Sequence, residues 1–135
     1  MVDLTTDYLG LKLAHPLVPS ASPLGKNLDS ARKLEDAGAS ALVLPSLFEE
    51  KIEAEQEQMA RFFYGQAIGY GEADSFHPVP DRILTYQEQY LEHLRQVKTA
   101  LKIPVIASLN GTSLGGWIEY GVALQQAGAD ALELN

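Results

Sequence analysis

Two kinds of apolar pattern alternate along this chain. Short continuous runs have the length of buried strands, and longer stretches with an apolar residue at every third or fourth position predict amphipathic helices. Because the two kinds follow one another, the pattern predicts an α/β fold whose core strands run parallel, joined by right-handed helical crossovers. The four predicted core strands are residues 17–20, 41–44, 103–109 and 131–134.

One eight-residue pattern occurs twice, at residues 37–44 and 127–134, and six of its eight positions are identical. In each copy a helical stretch runs into a glycine, Gly38 or Gly128, and then into a short apolar run. This arrangement predicts a helix that is ended by a left-handed glycine and that leads into a buried strand.

Turn and capping signals define the first part of the chain. Residues 4–13 predict a hairpin that turns at Gly10. Asn27 suits the N-cap of a helix that Gly38 ends. The hairpin is too short to fold alone, so it must pack on the α/β units that follow.

The middle of the chain is less regular. Residues 49–64 predict a helix with one apolar face, and a loop at residues 65–80 follows it. That loop is long for a compact domain. Two interpretations stay open: the loop is a lid over a ligand, or it is a surface excursion. Thr85 and Glu88 then form a Thr-x-x-Glu capping box that begins the next helix.

A glycine-rich segment at residues 111–116 leads into the last helix. It contains two N-cap candidates, Thr112 and Ser113. Such a segment could hold an anion at the helix N-terminus, although it matches neither the P-loop nor the dinucleotide-binding pattern.

Composition excludes several function classes for this 135-residue chain. It has 10 Lys and Arg against 18 Asp and Glu, a net charge of −8, which argues against nucleic acid as a partner. Cysteine is absent, which removes disulfides and thiolate chemistry. The sequence predicts no membrane span and no secretory signal, so a cytoplasmic location is the default expectation.

Small polar residues stand where the four predicted strands end. If the strands are parallel, these side chains share the carboxyl edge, where α/β proteins bind ligands. Neutral hydroxyl and amide groups suit the carbonyls and nitrogens of a flat heterocycle, although strand exits are often polar by chance. The residues are Ser20 or Ser22, Ser46, Asn110 and Asn135.

Other chemistry is sparse. The three histidines, His15, His77 and His93, have no metal-ligand spacing, so no metal site is predicted. The acidic residues that open the helix at 49–64, including Glu49 and Glu50, are interpreted as a solvated helix face.

Several ordered segments are specific enough to suggest a family. They are LTTDYLGLKLAHPLVPSASP at 4–23, AGASALVLPS at 37–46, SLNGTSLGGW at 108–117 and ELN at 133–135. Together they resemble the N-terminal half of the dihydroorotate dehydrogenase family, and in particular its dihydroorotate dehydrogenase-like branch.

This resemblance implies the first half of a (β/α)8 TIM barrel over residues 1–135, with the hairpin at 4–13, β/α units over 17–135 and FMN at the carboxyl face. By position, Ala21 and Ser22 would lie along the flavin, while Ser46, Asn110 and Asn135 would hydrogen-bond the flavin. Asn110 and Asn135 would also hydrogen-bond a substrate ring such as dihydroorotate. The implied activity is oxidation of a CH–CH bond, as in pyrimidine biosynthesis.

The chain also departs from the family pattern. Pro45 stands where many FMN-binding members have a lysine, and residues 71–81 do not match the family's substrate loop. A barrel of this type needs about 250 residues. The chain is therefore expected to be a catalytically incomplete fragment. Two alternatives stay open: a self-associating module without activity that forms a homodimer through its fourth strand, and a flavodoxin-like sheet with a different strand order.

Overall fold

The structure, a computed structural model, describes the backbone of residues 2–68 and 83–135 and the side chains of residues 2–64 and 83–135. Two short strands come first, β1 (Thr6–Tyr8) and β2 (Leu11–Leu13), followed by a single 3-10 turn (Pro23–Lys26). The remaining elements are α1 (Leu28–Asp36), β3 (Leu42–Phe48), α2 (Glu49–Ile68), α3 (Tyr86–Ala100), β4 (Val105–Asn110), α4 (Leu114–Gln126) and β5 (Ala131–Leu134).

The helix predicted at 49–64 extends four residues further, to Ile68. The rest of the predicted loop, with His77 and residues 71–81, lies outside the described residues, so the lid and the surface excursion both stay predictions. In the described ranges, no helix has the length and apolar character needed to cross a membrane.

The N-terminal hairpin is confirmed. β1 and β2 pair antiparallel, with Tyr8 opposite Leu11. The two residues between them, Leu9 and Gly10, have φ values of 53° and 75°. Positive φ at both central residues is what a two-residue turn of type I′ requires, and the twist of such a turn matches that of the strands.

The main sheet is parallel and has three strands in the order β3-β4-β5. The predicted strands at 41–44, 103–109 and 131–134 are therefore confirmed in type and direction. Neighbours in the sheet are neighbours in sequence, which excludes the flavodoxin-like alternative, because that order would separate β3 from β4 by the first strand. The described residues form an open sheet beside the hairpin.

The predicted first core strand at 17–20 is wrong. This segment runs beside β3, and the carbonyls of Leu17 and Pro19 accept hydrogen bonds from the N–H groups of Ser40 (3.4 Å) and Val43 (3.2 Å). A parallel ladder also needs N–H donors from the added strand, and Pro19 has none. The segment consequently lies along the edge of the sheet without becoming a fourth strand.

The repeated helix-to-strand junction has the same geometry in both copies. Gly38 and Gly128 have φ values of 95° and 105°. After α1, Gly38 N–H donates to the Glu35 carbonyl and Ala39 N–H to the Leu34 carbonyl, at 2.8 and 3.0 Å. The same two bonds recur after α4, so both helices end in the Schellman motif that the glycines predicted.

The two faces of the sheet have different partners. One face carries the main hydrophobic core, in which buried β3 and β4 side chains pack against α1, α3 and α4. The other face bears no helix in the described part of the chain. Near the amino ends of its strands, a smaller cluster joins the hairpin to the sheet: Leu13, Ala41, Val43 and Ile106.

Candidate functional site

Ser46 lies inside β3, although the sequence predicted that this strand ends at residue 44. Pro45 lacks an N–H, and the β3–β4 register shifts between Val43 and Ser46. Two tyrosines of α3 bond to the backbone there: Tyr90 Oη donates to the Pro45 carbonyl at 2.6 Å, and Phe48 N–H donates to Tyr86 Oη at 3.3 Å. Hydrogen bonds with the side chains of Tyr86 and Tyr90 thus replace strand-to-strand bonds at this point, and β3 continues past Pro45.

Tyr90 is held firmly in this role. Its hydroxyl also lies 3.5 Å from the Ser108 carbonyl of β4. Burial raises the pKa of Tyr90 far above its usual range, so the phenol stays protonated and remains a donor. The irregular stretch of β3 is therefore fixed against β4 at the level of Ser46.

A hydrogen-bonded cluster connects all three strands on the helix-free face. Ser46, Ser108 and Glu133 are register neighbours across β3, β4 and β5. Ser108 Oγ lies 2.7 Å from Ser46 Oγ and donates to Glu133 Oε1 at 2.7 Å. Asn135, next to the end of β5, donates from Nδ2 to Ser108 Oγ at 3.1 Å and to Glu133 Oε1 at 3.0 Å. We call these four residues the strand-end cluster.

The strand-end cluster is anchored inside and open outside. Ser108, at its centre, is fully buried, and Asn135 is exposed. A cavity of about 310 Å³ lies on the same face of the sheet, between the hairpin and the strands, with Ser20, Val43 and Glu133 in its wall. Its volume is at the lower end of the range for small-molecule sites.

The predicted site residues fall into two groups. Ser46 and Asn135 lie at the same edge of the sheet, as expected, and each of them bonds to Ser108. Asn110 is the last residue of β4, two positions beyond Ser108 and so on the same face, but the described structure does not bond its side chain into the cluster.

The other predicted cofactor residues lie before α1. Ala21 packs beside the small hydrophobic cluster under the hairpin. Ser22 is the N-cap of the 3-10 turn, and its carbonyl accepts from Gly25 N–H at 3.1 Å. Neither residue bonds to the strand-end cluster within the described part of the chain.

Two members of the cluster, Ser108 and Glu133, were not among the predicted site residues. The signal for Glu133 was present in the repeat, where it replaces the apolar Val43 of the first copy. A lone carboxylate inside an apolar strand pattern indicates a partnered polar group. Ser108 precedes Asn110 by two residues, which places both on one face of a strand.

The prediction of a solvated helix face is wrong for Glu49, which is only 3% exposed. Its Oε2 accepts from the N–H groups of Thr112 and Ser113, and Ser113 Oγ donates to its Oε1. These bonds, the Ser113 hydroxyl first, lower the pKa of Glu49 to about 2. The anion at the N-terminus of α4 is therefore this internal carboxylate.

The glycines of segment 111–116 make room for that arrangement. A Cβ on Gly116 would collide with the Glu49 carboxylate, and one on Gly111 would lie 2.7 Å from the Trp117 ring. Ser113 is the N-cap of α4, and its Oγ accepts from Gly116 N–H at 2.9 Å. Of the two predicted capping candidates, Ser113 is the one used.

The described histidines bind backbone carbonyls. His15 Nε2 lies 2.7 Å from the Gly38 carbonyl, and His93 Nε2 lies 2.7 Å from the Gly25 carbonyl. Over residues 2–68 and 83–135, no group of three or more His, Cys, Asp or Glu residues could hold a metal ion.

Comparison with known proteins gives relatives that include the following three, each 27% identical to this chain. The first is a putative dihydroorotate dehydrogenase A (fumarate) of Aeropyrum pernix. The match covers 40% of that protein and 98% of this chain. The second is the catalytic subunit of a dihydroorotate dehydrogenase B (NAD(+)) of Thermoplasma acidophilum. The match covers 42% of that protein and 100% of this chain. The third is the PreA subunit of an Escherichia coli NAD-dependent dihydropyrimidine dehydrogenase. The match covers 32% of that protein and 98% of this chain.

All three relatives are named as dehydrogenases, so the class that this chain resembles is an oxidoreductase. The resemblance to the dihydroorotate dehydrogenase family is thereby confirmed. The chain spans 32–42% of the length of these relatives. No family model matches it.

Proposed function

We propose that this chain forms the N-terminal half of an FMN-dependent oxidoreductase that acts on the CH–CH bond of a dihydropyrimidine ring such as dihydroorotate. One observation carries the proposal: Ser46, in β3, and Asn135, just after β5, both bond to the buried Ser108. The names of the relatives, which include dihydroorotate and dihydropyrimidine dehydrogenases, point to the same ring chemistry.

The residues present fit the ring of a flavin better than its phosphate. The strand-end cluster offers oxygen and nitrogen atoms along the helix-free face, and Ala21 and Ser22 are small enough to let a flat ring approach the backbone. The N-terminus of α4, which could otherwise receive a phosphate, already binds Glu49. FMN, when bound, supplies the acceptor for hydride; Ser46, Asn110 and Asn135 would orient the flavin, and the two asparagines also the substrate ring.

The strand order supports a partial (β/α)8 barrel. Successive parallel strands that lie side by side, with helices on one face only, are the arrangement of consecutive barrel units. In a barrel, the helix-free face is the interior, and the cavity beside Glu133 would belong to it. Since the relatives are more than twice as long, we assign turnover to a longer protein and ligand binding to this part.

The test is a titration of FMN with the 135-residue chain, followed by quenching of flavin fluorescence. We expect saturable quenching that Ser46→Ala and Asn135→Ala each weaken about fivefold, the usual effect of one lost hydrogen bond. Ser30→Ala on α1 is the matched control and should not change the affinity. Absence of quenching at high protein concentration would contradict flavin binding by this chain.

Pairing of two copies along β5 stays a prediction. β4 lies on one side of β5, and no described strand pairs with its other side. An unpaired edge offers backbone groups to another strand. Light scattering over a range of concentrations should show dimers, and a constant monomer mass would contradict the prediction.

A further inference from the structure

The outer side of α4 carries an apolar stripe. Leu114, Ile118 and Val122 stand four residues apart, so they share one side of the helix, and they are 78%, 61% and 46% exposed. α4 contains one charged residue, Glu119, and at about 100° per residue it lies outside the stripe. Contiguous exposed apolar residues of this kind indicate a binding surface.

The stripe lies on the side of α4 that faces the unpaired edge of β5. Gly121 borders the stripe, and a Cβ there would lie 3.7 Å from Leu132 Cδ1 of β5. Gly116, on the opposite side of the helix, faces the Glu49 carboxylate instead. Leu134 lies two residues after Leu132, so it is on the same face of β5, and it is 61% exposed. We call the whole apolar patch the α4/β5 surface: Leu114, Ile118, Val122 and Leu134.

A second copy of this chain fits the α4/β5 surface by symmetry. A two-fold axis that is perpendicular to the sheet, beside β5, sets two β5 edges antiparallel and keeps both α4 helices on the same face. α4 contacts both β4 and β5, so it lies about one strand spacing, about 4.8 Å, from such an axis. The two helices would then be about 10 Å apart, which is the distance at which helices pack, with the two stripes facing each other.

Charge and size also favour a second copy. Two molecules of net charge −8 repel one another, so they approach most easily through a surface without charge, and all four residues of the α4/β5 surface are uncharged. On two copies, these residues expose roughly 1,000 Å² in all, which is the lower limit for a specific interface. Backbone hydrogen bonds between the two β5 edges would add to this contact.

We propose that the 135-residue chain forms a two-fold symmetric dimer in which the stripes of two α4 helices pack antiparallel. The inference goes beyond the proposed function, because it depends on neither a flavin nor a substrate. It also goes beyond the pairing of β5 edges, since it assigns the apolar contact to α4. The dimer should dissociate on dilution to low micromolar concentrations, because the interface is small.

Sedimentation velocity at increasing protein concentrations measures the dimer. Ile118→Lys should weaken it about a hundredfold, because each of the two copies would bury one unpaired lysine. The substitution makes the chain less negative by one charge, so a loss of dimer cannot come from greater repulsion. Glu119→Gln makes the same change of charge outside the stripe and should leave the dimer intact. Val122→Lys is a second stripe variant, and neither replaced residue belongs to the buried core, so both variants should fold.

Cysteine cross-linking tests the antiparallel arrangement, since the chain has no cysteine of its own. Leu114→Cys, Ile118→Cys and Val122→Cys are oxidised singly and as mixtures of two variants, with Glu119→Cys as the control that should not cross-link. In an antiparallel pair, at most one stripe position lies on the two-fold axis, so at most one single variant should cross-link with itself. Efficient cross-linking of all three single variants would indicate parallel helices and overturn the proposal.

The remaining outcomes are equally distinct. A monomer at every concentration overturns the proposal and leaves the α4/β5 surface to a β/α unit of another polypeptide or of a longer chain. Dimers that neither Ile118→Lys nor Val122→Lys weakens would overturn the role of α4, even if β5 edges pair. Flavin binding is measured separately by the quenching titration, so its failure would not be mistaken for a failure of the dimer.

Discussion

Glu49 and Ser113 join the start of α2 to the start of α4. The hydroxyl of Ser113 donates to Glu49 Oε1, and its backbone N–H donates to Oε2 at 3.0 Å. A helix N-terminus carries unsatisfied N–H groups and a partial positive charge, so a carboxylate is the group that it binds best. Here the chain supplies that carboxylate from an element that begins 64 residues earlier.

The first prediction concerns the pH dependence of stability. The folded-state pKa of Glu49 is about 2, against an ordinary value of 4.5. The unfolded chain therefore takes up this proton first, and the contribution of Glu49 is present above pH 4.5 and lost as the pH falls towards 2. The difference in urea midpoint between the wild type and Glu49→Gln should shrink over that range. A constant difference across it would show that the carboxylate charge is not the stabilising feature.

Gly116 should be the least replaceable glycine of α4. A Cβ at this position would overlap the Glu49 carboxylate and push it from the helix N-terminus. We expect Gly116→Ala to lower the free energy of unfolding by about 1–3 kcal/mol, as overpacking usually does. Gly115→Ala is the matched control, because its Cβ would meet only Ser113 Oγ, at 3.9 Å.

Urea unfolding measures both alanine variants. Gly115→Ala should be neutral or slightly stabilising through helix propensity. Because Gly116→Ala acts through Glu49, its cost should largely disappear in the background of Glu49→Ala. Additive costs in the double variant would contradict this mechanism.

Asp130 should stabilise the second helix-to-strand junction through two bonds. Its Oδ2 accepts from the N–H of the fully buried Val105 at 2.8 Å and pairs with Lys98 Nζ at 2.6 Å. Asp130→Ala leaves the Val105 N–H without this acceptor, so we expect a loss of about 1–3 kcal/mol in unfolding free energy.

Asp130→Asn separates the two contributions. It keeps an acceptor for Val105 and removes the partly exposed ion pair, so its cost should stay below about 1 kcal/mol. Thermal unfolding of the two variants gives the comparison. Equal losses in both would mean that the ion pair with Lys98, not the backbone bond, is the important one.

The two repeat glycines should tolerate alanine about equally. A Cβ on Gly38 would meet no atom within 4 Å, so Gly38→Ala should cost only the backbone strain of positive φ, about 1–2 kcal/mol. A Cβ on Gly128 would lie 3.4 Å from Lys98 Cγ, which is an ordinary van der Waals contact, so Gly128→Ala should cost about the same. Thermal melts in which one variant loses much more stability than the other would contradict the comparison.

Much of the fold could be predicted because its signals are local. Asn27 caps α1 through the bond from Ser30 N–H at 2.8 Å, and Thr85 with Glu88 forms the expected capping box. The hairpin and the three parallel strands follow likewise from turn residues and short apolar runs. In each case the deciding atoms lie within a few residues of one another.

The failures share the opposite property. Residues 17–20 do not form the predicted strand because Pro19 has no N–H group to donate across the sheet. The length of β3 depends on hydrogen bonds with two tyrosines that lie about 40 residues further along the chain. Glu49 was misread because its partners lie 63 and 64 residues away. Periodicity describes which face of an element is apolar, and it carries no information about such distant polar partners.

Candidate ligand groups were predictable only in part for the same reason. Ser46 and Asn135 could be placed at one sheet edge from topology alone, and both do bond to Ser108 there. The group that unites them, Ser108, is identified only by the register of β4 against its two neighbours.

The strand order also bears on how the chain folds during synthesis. β4 pairs with β3, and β5 pairs with β4. The partner of each new strand has therefore already been synthesised when that strand leaves the ribosome. No strand has to be inserted between two others. The bond between Glu49 and Ser113 joins the starts of α2 and α4, which are far apart in sequence, so we expect it to form late, on the native side of the folding barrier. Replacing Glu49 should accordingly speed unfolding more than it slows folding.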